Sequence, residues 1–285
     1  MKPASFHYHA PRTIEEAIST LAKVAPDDGR ILAGGQSLVP TMAFRLAQPT
    51  HLVDINRVDG LDHLEINGET ISIGAGVRHA AFHRPVIDSP LGQMLTTVVR
   101  HIAHVPIRTR GTFCGSLAHA DPASEWCLVA ATLDARMIAR STRGERALAP
   151  NEFFQGIMTT ALKPDELLAE VRLPILPSDT KFGFEEFNRR VGDFAIGMAL
   201  VTYRIADGVM VEPRIGVGGA EESPRRLIGA EAALEGQTPG TDAFEAAADA
   251  AAEAVNPMTD INTSAQYRRD LVRTLTHRAL ERAAA

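Results

Sequence analysis

Leu32-Ala33-Gly34-Gly35-Gln36-Ser37-Leu38 and Gly111-Thr112-Phe113-Cys114-Gly115-Ser116-Leu117 are the stretches on which the reading of this chain turns. The first follows a short strand expected over residues 30–33 and opens a short helix near 39–46. Adjacent glycines let backbone N–H groups approach an anion with no Cβ in the way, and a helix start adds a favourable dipole. The second runs on through Ala118-His119-Ala120-Asp121-Pro122-Ala123-Ser124-Glu125 and also joins glycines and hydroxyls to a helix start. Either loop alone reads more readily as a tight turn. Together they suit a pyrophosphate, whose two charged groups could be clamped between two such loops.

Around these loops the pattern is mixed. Thr13 and Glu16 have capping-box spacing, and Ile14, Ala17, Ile18, Leu21 and Ala22 share one face, so a helix is expected over 13–22. A strand is expected at 52–55. Residues 64–66 and 71–73 flank Asn67-Gly68, which predicts a hairpin with a type I′ turn. Residues 90–100 read as helix. Asp121 is the expected N-cap of a helix reaching about 133, with Pro122 at its first position. Strands are expected at 136–139 and 167–173. Pro174 and Pro177 flank a linker at 175–179. Beyond it, 203–206 and 209–211 face each other across Asp207-Gly208, and alanine-rich helices are expected over 227–234, 243–255 and 264–284.

A boundary near 175 follows, with domains at 1–175 and 176–285. The expected class is α+β: a mixed first part, then a small antiparallel sheet followed by helices. The 285 residues are enough for two cores. With 45% hydrophobic and 22% charged residues the composition is that of a globular protein. A formal charge of −6 argues against nucleic acid as the main partner. No apolar run approaches the ~20 residues of a membrane span, and no signal peptide is recognised, so a cytoplasmic location is expected. The two cysteines, Cys114 and Cys127, form no CxxC pair, and an iron–sulfur cluster needs about four.

Gly74-Ala75-Gly76-Val77-Arg78-His79 and Gly216-Val217-Gly218-Gly219-Ala220-Glu221 lack the third glycine and the strand–helix–strand setting of a Rossmann fingerprint. His79 with His83, and His101 with His104, have helical spacing, but no metalloprotease pattern accompanies them. Cys114 reads as a small filler rather than a redox thiol. Ser116 is not in a nucleophile elbow. Arg189-Arg190-Val191-Gly192-Asp193-Phe194-Ala195 reads either as an exposed charged turn before a core Phe or as a loop bringing Asp193 and Phe194 to a cofactor ring.

The two loops, the Arg189–Ala195 stretch and Asp260-Ile261-Asn262-Thr263-Ser264-Ala265-Gln266-Tyr267-Arg268-Arg269 together resemble, in order and over nearly the whole chain, the FAD-binding medium subunits of molybdenum hydroxylases. That family includes carbon monoxide and xanthine dehydrogenases and the bacterial N-heteroaromatic hydroxylases. The resemblance implies a fold of the vanillyl-alcohol-oxidase type. FAD would lie between α+β subdomains at about 1–58 and 59–175, and a C-terminal domain would carry a small sheet and helices.

By the same resemblance, Ala33 to Ser37 and Thr112 to Ser116 would wrap the pyrophosphate, with Leu32 and Leu38 also at the cofactor. Ala103 would lie against the cofactor, Glu125 near its ribose or adenine end, and Leu168, Asp193 and Phe194 by the flavin ring. No catalytic residue and no metal ligand is named. The family usually has two glycines where this chain has Cys114-Gly115, so a side chain at 114 must point away from phosphate or the loop must shift. The implied role is electron transfer from [2Fe–2S] clusters on a small subunit, fed by a molybdenum cofactor on a large subunit, within a heterotrimer or a dimer of heterotrimers. A self-contained flavin oxidase or reductase of the same fold, and a non-enzymatic nucleotide-binding scaffold, stay open as alternatives.

Overall fold

The computed structural model describes residues 2–261 and 263–285; Met1, and Asn262 from the Asp260–Arg269 stretch read above, lie outside the described residues. The chain opens with β1 (His7–His9), α1 (Ile14–Val24), β2 (Gly29–Leu32), α2 (Leu38–Ala43) and β3 (His51–Asp54). The three strands form a parallel sheet in the order β1-β3-β2. The Thr13 side chain accepts from the Glu16 N–H at 3.1 Å while the Glu16 carboxylate accepts from the Thr13 N–H, the expected capping box. Ala17, Leu21 and Val24 form the buried stripe of α1. The second helix ends earlier than the sequence suggests, because Arg45 takes a left-handed φ of 58°.

The next unit holds β4 (Leu64–Asn67), β5 (Thr70–Gly74), α3 (Pro90–Val98), α4 (Val105–Arg108), α5 (Phe113–His119), α6 (Glu125–Thr132), β6 (Arg136–Ser141), β7 (Gly144–Leu148), α7 (Pro150–Phe153), β8 (Phe154–Gly156), β9 (Thr159–Thr160) and β10 (Leu167–Pro174). Five of these strands form an antiparallel sheet ordered β4-β5-β10-β6-β7. The central strand β10 is buried at all of its first five positions, which is why Leu167 to Val171 read as an apolar run broken only by Glu170.

Two expectations are corrected in this unit. Asn67 pairs with Thr70, so the turn residues are Gly68 and Glu69, and only Gly68 has a positive φ (61°). The turn is therefore of the kind that needs a glycine at its first central position alone, not type I′. The N-cap of α6 is Ser124, whose hydroxyl accepts from the Cys127 N–H. Asp121 instead accepts from the Ala123 N–H at 2.9 Å and shapes the turn before the helix.

The last unit is a four-stranded antiparallel sheet, β11 (Lys181–Phe187), β12 (Gly197–Ala206), β13 (Val209–Gly218) and β14 (Arg225–Arg226), followed by α8 (Ile228–Glu231), α9 (Thr241–Ala254) and α10 (Ala265–Ala284). Asp207 and Gly208 both have positive φ, 51° and 81°, and close the β12–β13 hairpin as a true type I′ pair. Of the helix expected over 227–234, only α8 is α-helical.

Leu271, Val272, Leu275, Ala279, Leu280 and Ala283 form the buried face of α10. A Cβ at Gly183 would overlap the Ala279 carbonyl oxygen, so glycine on β11 lets this helix lie directly on the sheet. Gly74 closes β5 and is followed by a short 3-10 turn at His79–His83, and Gly216 and Gly218 lie in β13, so neither rejected fingerprint opens an α-helix.

Candidate cofactor site

The two glycine loops touch. A Cβ on Gly34 would overlap the Arg110 carbonyl oxygen and fall 2.6 Å from the Gly111 Cα. A Cβ on Gly111 would fall 2.5 Å from Nε2 of His79. The missing side chain of each glycine is thus replaced by the next layer: loop on loop, then loop on imidazole. Gly35 serves differently. Its φ of 71° is the left-handed conformation that turns the chain into α2.

Among the described residues, none of the five backbone N–H groups from Gly34 to Leu38 donates a hydrogen bond within the chain. Consecutive unpaired N–H groups around a left-handed glycine make an anion-binding concavity. The Gln36 side chain donates to the Gly34 carbonyl at 3.0 Å and braces the turn. In the second loop Thr112 is the N-cap of α5, its hydroxyl accepting from the Gly115 N–H at 3.1 Å. Gly115 faces Ala33, whose Cβ would lie 3.9 Å from a Cβ there. Ser116 follows, half-buried, with its N–H on the Thr112 carbonyl at 3.1 Å.

Phe113 and Cys114 point the other way. Phe113 is fully buried against Trp126 and Phe82, ring centroids 4.9 and 5.6 Å apart, so only its backbone can face the cleft. The Cys114 thiol donates to the Ile73 carbonyl at 3.4 Å, and burial pushes its pKa far above the ordinary thiol range. A side chain at 114 is therefore accommodated by turning inward, and this thiol lacks the thiolate character of a redox group.

The second loop rests on His79, which the sequence offers as a helical-spacing partner of His83. His79 is buried, and its Nδ1 accepts from the Trp126 indole N–H at 2.9 Å. Burial, then the cations Arg78 and Arg108, pull its pKa down to about 4. The ring is neutral, and Nδ1 as acceptor leaves the proton on Nε2, the atom facing Gly111.

Beside the loops lies a cavity of about 630 Å³ between the α1–β2 unit and the β10 sheet, with Ala33, Gly115 and Leu168 in its wall. Ala103 and the 189–194 loop meet elsewhere. Ala103 has a positive φ of 39°, and its carbonyl accepts from Arg108 at 2.9 Å. A Cβ on Gly192 would lie 2.7 Å from Nδ1 of His104, so the loop carrying Asp193 and the 75%-exposed Phe194 packs on the residue after Ala103. Phe194 does not line the cavity that contains Leu168.

Glu125 is buried at the first turn of α6, and Glu186 on β11 has a fully buried side chain. One Glu186 oxygen accepts from Asn188 at 2.9 Å; the other has no hydrogen-bond partner and lies 3.7 Å from His101. Burial holds both carboxyls above the ordinary range, and the Glu186 charge adds to the effect on Glu125. With folded values raised above 4.5, the folded chain binds more protons than the unfolded one as pH climbs above that value, so this pair costs stability with rising pH. Glu186→Gln in the FAD-free chain is expected to raise the melting temperature at pH 8 by about 3 °C or more. The difference should vanish near pH 5, where the native carboxyl is protonated. Equal melting temperatures at pH 8 would refute the buried-charge assignment.

Paired glycine loops in a cleft between α+β units define a nucleotide-cofactor domain. Residues 4–176 match the profile of the FAD binding domain in molybdopterin dehydrogenase, and 182–283 match the CO dehydrogenase flavoprotein C-terminal domain. The chain belongs to this family of molybdenum hydroxylase FAD subunits.

It is similar to the nicotine 6-hydroxylase medium subunit of Paenarthrobacter nicotinovorans, 39% identical over 100% of this chain and 99% of the relative. Among solved structures it superposes on quinoline 2-oxidoreductase from Pseudomonas putida 86 with TM-score 0.92 and 37% identity, covering 100% and 98% of the two chains. For carbon monoxide dehydrogenase from Hydrogenophaga pseudoflava the TM-score is 0.95 at 33% identity, with 100% and 99% covered.

Proposed function

We propose that this chain is the FAD-carrying electron-transfer subunit of a heteromeric molybdenum hydroxylase. The observation that carries the reading is the row of five unpaired N–H groups from Gly34 to Leu38, packed against the second glycine loop. That row fits a pyrophosphate. The backbone of Thr112 to Ser116 would close the opposite side, Ala33, Gly115 and Leu168 wall the adjoining cavity, and Glu125 would lie toward the ribose or adenine end. Ala103, Asp193 and Phe194 would flank the flavin end. The chain divides near 175 into the cofactor domain and a C-terminal domain.

Bound FAD accepts single electrons and delivers pairs, which suits a junction between one-electron clusters and a two-electron acceptor. The protein's share is to bind and orient. With two buried cysteines the chain cannot ligate a cluster of its own. The [2Fe–2S] clusters therefore sit on a small partner subunit and the molybdenum cofactor on a large one, in a heterotrimer or a dimer of heterotrimers. Nicotine and quinoline, in the names of the relatives at 39% and 37% identity, both contain an N-heteroaromatic ring, which favours a substrate of that class for the complex. No described helix is long and apolar enough to cross a membrane.

The FAD is held without a covalent bond. Acid precipitation of the yellow protein is expected to leave the colour in the supernatant; colour retained in the pellet would show a covalent link, and a colourless native protein would refute the cofactor reading.

A further inference from the structure

One string of polar side chains runs between the two glycine loops. Asp54, at the end of β3, accepts from the Tyr8 hydroxyl at 2.5 Å and from the Asn56 backbone N–H at 2.9 Å. The Asn56 side-chain amide donates to Asp54 and, at 2.8 Å, to the Ala33 carbonyl. Its oxygen accepts from Arg78 Nη2 at 2.6 Å, and Arg78 Nη1 donates to the Arg110 carbonyl. Ala33 immediately precedes Gly34, and Arg110 immediately precedes Gly111. The residue in front of each loop's glycine is thus held by one end of a single Asn–Arg pair.

We propose that Asn56 and Arg78 form a latch across the cofactor cleft, positioning residues whose hydrogen bond sets how long FAD stays bound. The proposal rests on the cofactor reading above. Asn56 follows the first sheet and Arg78 follows β5, so their bond joins the two units that enclose the cleft. At Gly34 and Gly111 the loops meet through van der Waals contact between backbones, which opposes separation weakly and fixes no direction.

The guanidinium is half-buried, and burial, with Arg110 nearby, pulls its pKa below the ordinary value. A charged donor partly stripped of water makes stronger hydrogen bonds than a solvated one. Its planar fork serves Asn56 and the Arg110 carbonyl at once. A lysine ammonium on a flexible stem lacks that fixed two-pronged geometry.

The test uses the full chain loaded with FAD, with release followed as recovery of flavin fluorescence after dilution. Asn56→Ala and Arg78→Met are each expected to speed release about tenfold, equivalent to about 1.4 kcal/mol. The double variant should release no faster than either single one, because both remove the same bond. Arg78→Lys should behave like Arg78→Met, while melting of the FAD-free chain shifts by less than about 2 °C in every variant.

Release at the wild-type rate, additive effects in the double variant, restoration by lysine, or a fall in apoprotein melting that accounts for the faster release would each overturn the latch. A wild-type chain that takes up no FAD overturns the cofactor reading and the latch with it; variants that release like an FAD-holding wild type overturn the latch alone.

Discussion

Gly34→Ala is expected to weaken FAD binding about a hundredfold, the equivalent of about 2.7 kcal/mol. The added methyl would meet backbone on the facing loop, the Arg110 carbonyl and the Gly111 Cα, and no side chain is there to swing aside. The loops must part, and overpacking of this kind costs about 1–3 kcal/mol. Gly35→Ala makes the informative contrast. Its Cβ would meet only the ends of Val39 and Leu32, at 3.1 and 3.2 Å, so the cost there is the left-handed φ, about 1–2 kcal/mol. Equilibrium dialysis of FAD should therefore rank the wild type above Gly35→Ala and Gly35→Ala above Gly34→Ala. The reverse order would show that loop contact does not shape the site.

The chain expressed alone is expected to hold FAD and pass electrons from an artificial reductant to a dye, yet show no hydroxylation of any substrate. Its cysteine count leaves it without a cluster, and nothing in its sequence resembles a molybdenum-cofactor site. On the proposed reading electrons arrive across an interface, and a lasting interface buries at least about 1,000 Å², so the partners should co-purify in equal ratio. The direct assay offers N-heteroaromatic compounds and carbon monoxide to the lone, fully flavinated chain with a dye acceptor. Substrate-dependent dye reduction there would establish a self-contained flavoenzyme instead.

Where local chemistry decides the structure, the sequence was enough. The Thr13–Glu16 cap and the Asp207-Gly208 turn each depend on residues adjacent in the chain, and both form as expected. The α6 start was misplaced because Asp121 and Ser124 are both good caps and only packing chooses between them. The turn after β4 was assigned one residue early, since Asn67-Gly68 and Gly68-Glu69 both offer the glycine a tight turn needs and only cross-strand register separates them.

Strands β7 and β11 escaped notice for a different reason. Gly144-Glu145-Arg146-Ala147-Leu148 is an edge strand with mostly solvated side chains, and β11 carries a glycine and paired glutamates that obscure its alternation. In the site, the loops were visible as glycine patterns. Their supports were not: Asn56, the Arg78-His79 pair and Trp126 come together from separate segments, and in the sequence Arg78-His79 stands out only as the tail of a failed fingerprint and His79 as a spacing partner of His83.

Trp126 is the chain's sole tryptophan, and it lies beneath the second loop with its indole N–H bonded to His79. All indole emission therefore originates from one buried site, beside the loop proposed to hold the cofactor. An oxidised flavin absorbs where indole emits, so occupancy of the cleft becomes readable as quenching of a single intrinsic lamp. The same signal would survive assembly only as far as partner subunits lack tryptophan. The free chain is thus its own optical sensor, and needs no label to report filling, emptying or loosening of the loop.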